Sequence, residues 1–163
     1  MPKPRVLVAC VVFPEVLDKL RQHFEVEAIA EGEVWHQDEF ARRLADKQGA
    51  YITGGHRIDA ALLAVCPQLK IVANMAVGYN NFDVAAMSAT GVVGSNTPDV
   101  LTETTADFGF ALLMAAARRM LESEKFLRAG EWKRWRYDMF AGCEVHGSTL
   151  GILGMGRIGQ GIA

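Results

Sequence analysis

The chain is poor in the residues that build several common kinds of site. It has three cysteines in 163 residues, Cys10, Cys66 and Cys143, widely spaced and with no C-x-x-C pair. An odd, scattered set supports neither a disulfide framework nor a zinc site, and it fits a reducing, cytoplasmic compartment. The four histidines, His23, His36, His56 and His146, form no H-x-x-x-H pair. Positive charge is not in excess: the formal net charge is -2. Composition therefore offers no electrostatic footprint for nucleic acid or an anionic membrane. Long apolar runs are missing too. The longest, Phe108 to Ala117 with Gly109 included, reaches only half of the ~20 residues a spanning helix needs. The first apolar stretch, Val6 to Phe13, is followed at once by Pro14, Glu15 and Asp18 with no small-residue cleavage pattern. It reads as a buried strand, not a secretory signal.

What is present is an ordinary globular balance, half apolar and 22% charged. The first hundred residues alternate strand-like and helix-like segments. Val6 to Val12 is a β-branched run expected of a strand buried on both faces. Pro14 opens a helix with Val16, Leu17, Leu20 and Phe24 on one stripe. Strands are expected at Glu25–Ala30, Gly49–Thr53, Lys70–Val77 and Val92–Asn96. Helices are expected at Gln37–Asp46, with Phe40, Ala41 and Leu44 inward, at Ala60–Val65 capped by Asp59, and at Asp83–Ala89 stopped by Gly91. Repeated βα units with short connections imply an α/β fold, a parallel sheet covered by helices on both faces. A self-contained flavodoxin-like binding module has the same periodicity.

A different segment follows. Thr102 is an expected N-cap, and Glu103 suits the positive end of the helix dipole. The helix runs through Leu121 and can reach Ala129, with Gly130 as its stop. Residues 108–117 are apolar on every face and call for cover all round, from a second subunit or from further sequence. Glu131 to His146 interleaves Trp132, Trp135, Tyr137 and Phe140 with Lys133, Arg134 and Arg136 and shows no period. It reads as an arm or long loop, serving either packing or cover for a partner or an anionic pocket.

The last fifteen residues carry a strand pattern, Thr149 to Leu153, then Gly154-Met155-Gly156-Arg157-Ile158-Gly159, then a helix start at Gln160–Ala163. In a chain with sixteen glycines the spacing alone is weak, but placed between strand and helix it signals dinucleotide binding. Gly154 allows the tight turn, Gly156 the close approach of a pyrophosphate, and Gly159 close helix–strand packing. The helix N-terminus adds free N–H groups, and Arg157 is a candidate phosphate contact. The residue that selects NAD or NADP is expected roughly 20 residues further on.

Three stretches carry a family resemblance: Met75-Ala76-Val77-Gly78-Tyr79-Asn80-Asn81-Phe82-Asp83; Asn96 to Asp107 running into Arg118-Arg119; and Leu150 to Gln160. In order and spacing the chain resembles the D-isomer-specific 2-hydroxyacid dehydrogenases, in particular the glyoxylate/hydroxypyruvate reductase and 2-ketogluconate reductase branch. The resemblance implies a flavodoxin-like substrate domain over 1–98. Residues 99–163 would then be a hinge and dimerisation helix, an arm and the start of a Rossmann NAD(P)-binding domain. It implies a homodimer that reduces a small 2-keto acid to the D-2-hydroxy acid with NAD or NADP, without nucleic acid, membrane or metal. It places the backbone N–H groups of Val77 and Gly78 on the substrate carboxylate, Thr105 near the cofactor, and Trp135 at a neighbouring subunit's active site. The cofactor loop is Gly154, Met155, Gly156, Arg157, Ile158 and Gly159. The family's catalytic Arg, Glu and His belong downstream, so the chain reads as truncated and inactive alone. His56 and His146 read as surface or capping residues. Two alternatives remain: an NAD(H)-sensing corepressor-like relative, and a stand-alone α/β binding module.

Overall fold

A computed structural model describes residues 2–163. The chain divides into two compact units at Pro98/Asp99. The first is built from β1 (Arg5–Val8), α1 (Pro14–His23), β2 (Glu25–Ala28), α2 (Gln37–Leu44), β3 (Gly49–Ile52), α3 (Ala60–Val65), β4 (Ile71–Asn74), α4 (Val84–Thr90) and β5 (Val93–Ser95). All neighbouring strands run parallel in the order β2-β1-β3-β4-β5, the flavodoxin-like arrangement of an α/β fold.

Local chemistry explains most of the boundaries. Pro14 occupies the first turn of α1, where its missing N–H costs nothing, and Arg21 and His23 sit in the last turn. The Asp59 carboxylate accepts from the Leu62 N–H at 3.0 Å, and the Asp83 carboxylate from the Ala86 N–H at 2.9 Å, so both short helices carry a side-chain cap. Gly91 ends α4 with φ of 72°, a left-handed turn that suits glycine.

The strands are shorter than their apolar runs. β1 stops at Val8, not Val12, and β4 at Asn74, not Val77. A strand lasts only as long as its neighbours supply ladder partners, and β3 between them is four residues long. Met75 to Val77 form a bend beyond the sheet.

Right-handed crossovers put α2, α3 and α4 on one face of this sheet and α1 on the other. Side-chain alternation agrees: Leu7, Ala50, Ile52 and Val72 join Phe40, Leu44, Leu62, Leu63 and Met87 in one buried cluster. Helices therefore lie on both faces, as expected, but cover them unequally. Ile71 and Val93 on the α1 face remain exposed, while Val6 and Val8 on that face are buried, because α1 packs at the β2 side of the sheet. His56 is also corrected. It is buried, stacked on Phe40 at 4.2 Å, with its Nε2 donating to the Trp35 carbonyl at 2.8 Å. The exposed His146 keeps its surface position.

The second unit holds α5 (Thr102–Ala117), α6 (Met120–Arg128) and α7 (Arg157–Ile162). Thr102 is the first helical residue, not the cap, since Leu101 takes the N-cap position without a side-chain hydrogen bond. The expected single helix is broken at Arg119, whose φ is 53°. The freed Ala117 carbonyl accepts from the Cys143 N–H at 2.8 Å. Gly142 allows that approach, because a Cβ there would collide with the Ala117 backbone. Phe108, Phe110 and Leu112 of α5 are exposed, so the cover expected all round this helix is not supplied by the described residues. Thr149 to Leu153 is not a strand, since no other strand lies in this unit to pair with it. No helix among the described residues is long and apolar enough to cross a membrane.

Candidate functional site

The C-terminal ends of parallel strands are where α/β sheets present ligand crevices. At that end of β4 the chain leaves the ladder through Met75 and Ala76 and turns at Val77-Gly78. The hydrogen bonds of this turn have one direction. The Ala76 carbonyl accepts from the Thr97 N–H at 2.9 Å. The Val77 carbonyl accepts from Asn96 Nδ2 at 2.8 Å, and the Gly78 carbonyl from Asn74 Nδ2 at 2.8 Å. The N–H groups of Val77, Gly78 and Tyr79 donate to no acceptor among the described residues, and all three residues are exposed. Nothing lies within 4 Å of where a Gly78 Cβ would stand. A row of exposed N–H groups with no protein acceptor has the chemistry that suits an anion.

The turn is tied down from behind. Asn81 donates from Nδ2 to the His56 carbonyl at 3.0 Å, and Ile58 and Asn81 are joined by a backbone bond of 2.8 Å. Gly94 of β5 lies under the Phe82 ring, where a Cβ would stand 2.7 Å from it. Asn74, Asn81 and Asn96 are the residues that sequence reasoning did not assign. Asn96 and Asn81 lie inside quoted motif stretches, but their partners depend on strand register.

In the second unit the glycine loop opens α7. Gly154 has φ of 99°, a conformation that favours glycine, so its turn-making task is met. Gly156 is the N-cap of α7, with nothing within 4 Å of where a Cβ would stand. Gly159 is pressed against the Gly154 carbonyl and stands 3.4 Å from the Ile152 side chain, counted from its would-be Cβ. The helix starts at Arg157, earlier than Gln160. A loop with glycine where backbone is crowded, and open space where a phosphate would approach, fits a dinucleotide pyrophosphate. Arg157 is not free: it pairs with Asp99 at 2.9 Å.

A profile of the D-isomer specific 2-hydroxyacid dehydrogenase catalytic domain matches residues 6–150. The chain belongs to this family. Among curated relatives, the glyoxylate reductase of Thermococcus onnurineus is 44% identical over 165 residues, which are 99% of this chain and 49% of that protein. The glyoxylate reductase of Aeropyrum pernix is 44% identical over 167 residues, 100% of this chain and 50% of that protein. Among solved structures, a Thermus thermophilus protein superposes with a TM-score of 0.91 at 39% identity, covering 97% of this chain and 51% of that one. The NADPH-dependent glyoxylate/hydroxypyruvate reductase of Sinorhizobium meliloti, crystallised with NADP and malonate, gives 0.72 at 35% identity, covering 98% and 49%. The chain thus spans about half the length of the relatives it matches.

Other residues expected of a D-2-hydroxyacid dehydrogenase fall as follows. Thr105 is exposed on α5, next to Ala106, which packs against Gly161 of α7. Trp135 is exposed on the arm, at an apolar cleft formed with Met120, Phe126, Leu127, Trp132 and Phe140. The arm has no regular structure but is held locally: Phe126 meets Phe140 edge-on at 5.2 Å, and Arg136 pairs with Asp138 at 2.6 Å. No cluster of three metal-binding side chains occurs among the described residues.

Proposed function

We propose that this chain supplies the substrate-anchoring turn and the first phosphate-binding turn of a reductase of small 2-keto acids. The substrate class is glyoxylate, hydroxypyruvate or 2-ketogluconate, the product the D-2-hydroxy acid, and the cofactor NAD or NADP. The observation that carries this reading is the Val77-Gly78 turn, whose carbonyls are engaged and whose N–H groups are free. Each N–H donated to a carboxylate oxygen is charge-assisted, contributing about 1.5–3 kcal/mol. The malonate bound by the S. meliloti relative is an anion of the same chemistry.

The division of labour follows from the residues. Val77 and Gly78 hold the carboxylate and so fix which way C2 faces. Gly154, Met155, Gly156, Arg157, Ile158 and Gly159 hold the pyrophosphate, with Thr105 nearby on α5. A bound nicotinamide ring supplies the hydride that reduces C2. No Arg, Glu or His of this chain is assigned to polarising or protonating the keto oxygen. Trp135 caps the substrate of a neighbouring subunit, and the exposed α5 face forms the homodimer contact. The three free cysteines suit a reducing cytoplasm.

A chimera tests the proposal. Residues 1–163 are joined to the remaining half of the T. onnurineus glyoxylate reductase, and NADH or NADPH oxidation is followed with each of the three acids. The expected result is acid-dependent turnover by the chimera and none by the 163-residue chain alone. A folded chimera that leaves all three acids unreduced sinks the proposal, as does whole-enzyme turnover by the isolated chain.

A further inference from the structure

Pairing of Ala73 with Ser95 in the β4–β5 register brings the next residues, Asn74 and Asn96, to the same level at the sheet's C-terminal end. Both side-chain amides turn onto the Val77-Gly78 loop, and each takes a different carbonyl. A trans peptide is planar, with its C=O and N–H pointing in opposite directions. Whatever grips the carbonyl of one residue therefore aims the N–H of the next. The Thr97 N–H, on the Ala76 carbonyl at 2.9 Å, aims the N–H of Val77. Asn96, on the Val77 carbonyl at 2.8 Å, aims the N–H of Gly78. Asn74, on the Gly78 carbonyl at 2.8 Å, aims the N–H of Tyr79.

Asn74 holds this position at a cost. It is 2% exposed, and its Oδ1 has no hydrogen-bond partner. An orphaned buried carbonyl has lost its water without gaining a partner, and an apolar side chain would avoid that. The orientation that leaves Oδ1 unpaired is the one that delivers Nδ2 to Gly78, with Asn81 Oδ1 at 3.4 Å as a second acceptor.

We infer that Asn74 and Asn96 are positioning residues for a three-donor anion cradle, in which the N–H of Tyr79 joins those of Val77 and Gly78. This rests on the anion-binding reading above and adds to it a third donor and the two side chains that orient the set. Three gripped carbonyls leave three N–H groups facing away from their grips, and a carboxylate, with two oxygens and several lone pairs, can accept from more than one of them.

The test is a residue-resolved titration of the ¹⁵N-labelled 163-residue chain with oxalate, against sodium chloride at equal ionic strength. In the unaltered chain, the amides of Val77, Gly78 and Tyr79 are expected to move on one saturating curve. In Asn96→Ala the Gly78 amide should lose its response, that of Val77 should persist, and the dissociation constant should rise about five- to tenfold, the effect of one hydrogen bond. Asn74→Ala should do the same at Tyr79. Asn96 is only half-buried, so its variant serves if the Asn74 variant fails to fold. No saturable response at any of the three amides in the unaltered chain would overturn the anion reading itself. A response at Val77 and Gly78 that excludes Tyr79, or an Asn96→Ala chain that binds oxalate as the unaltered chain does, would overturn the cradle and leave that reading standing. Equal loss at all three amides together with collapsed signal dispersion across the sheet would also overturn it, as Asn96 would then support the fold and not one peptide group.

Discussion

Lys47→Met should lower the stability of the sheet unit, and the structure sets the size of the effect. Lys47 is 5% exposed, yet its ammonium lies 2.9 Å from Glu27 and 2.6 Å from Asp46. Methionine keeps a straight apolar stem of similar length, so little packing is lost. Two charge-assisted hydrogen bonds go. Breaking a fully buried pair costs about 3–5 kcal/mol because a charge is left without a partner. Here neither acid is stranded. Arg43 remains 2.6 Å from Glu27, and Arg5 remains paired with Asp46. The Glu27 and Asp46 side chains are also 35% and 48% exposed, so water screens what is lost. The expected cost is about 1–2 kcal/mol at pH 7. For a unit of this size that is roughly 4–15 °C in Tm. The pH dependence gives a second check. Partial burial pushes the Glu27 carboxyl up, but hydrogen bonds from Lys47 and Arg43 outweigh it, and it titrates below its ordinary 4.5. Burial pulls the Lys47 ammonium down, but its bonds to Asp46 and Glu27 outweigh that, and it titrates above its ordinary 10.5. A depressed carboxyl contributes fully above 4.5 and loses its contribution as pH falls through the folded value. A raised ammonium contributes fully below 10.5 and loses its contribution as pH rises through the folded value. Thermal melts across pH should therefore show a plateau with two falling limbs in the unaltered chain. Lys47→Met should flatten the alkaline limb and make the acid limb shallower. A variant Tm within a degree of the original at pH 7, with parallel pH curves, would refute the reasoning.

Two further outcomes are expected. A Gly161 Cβ would stand 2.9 Å from the Ala106 Cβ, so Gly161→Leu should destabilise α7 by about 1–3 kcal/mol through overpacking; amide exchange that stays as slow in α7 as in the unaltered chain would refute it. Phe108 and Leu112 are exposed one helical turn apart on α5, and such apolar surface favours association. Light scattering should give a mass above the 17.8 kDa of one chain, reduced by Phe108→Glu. A monodisperse monomer at micromolar concentration counts against this.

Much of the fold was legible because its signals are local. Asp59 and Asp83 sit one residue before their helices, Pro14 opens α1, and Gly91 closes α4 in the left-handed conformation that suits glycine. The stripe Val16, Leu17, Leu20 and Phe24 and the inward Phe40 and Leu44 follow from helical period alone. The glycine loop was legible for the same reason: Gly154 takes a positive φ within its own turn. His56 was misread because nothing nearby in sequence shows that Phe40 and the Trp35 carbonyl will enclose it.

The amino-acid sequence by itself determined the order of elements in the first unit, the caps Asp59 and Asp83, the stop at Gly91, and the family, since these depend on neighbours within a turn or two and on motif spacing. Tertiary structure decided where β1 and β4 end, because a strand needs a partner at each step. It left Thr149 to Leu153 unpaired in its unit, and it broke the long helix at Arg119, where the arm's Cys143 N–H satisfies Ala117. It also decided the direction of the Val77-Gly78 turn. Asn74 and Asn96 reach their carbonyls only because parallel pairing sets β4 beside β5 in one register, and a register belongs to two strands together, never to either alone.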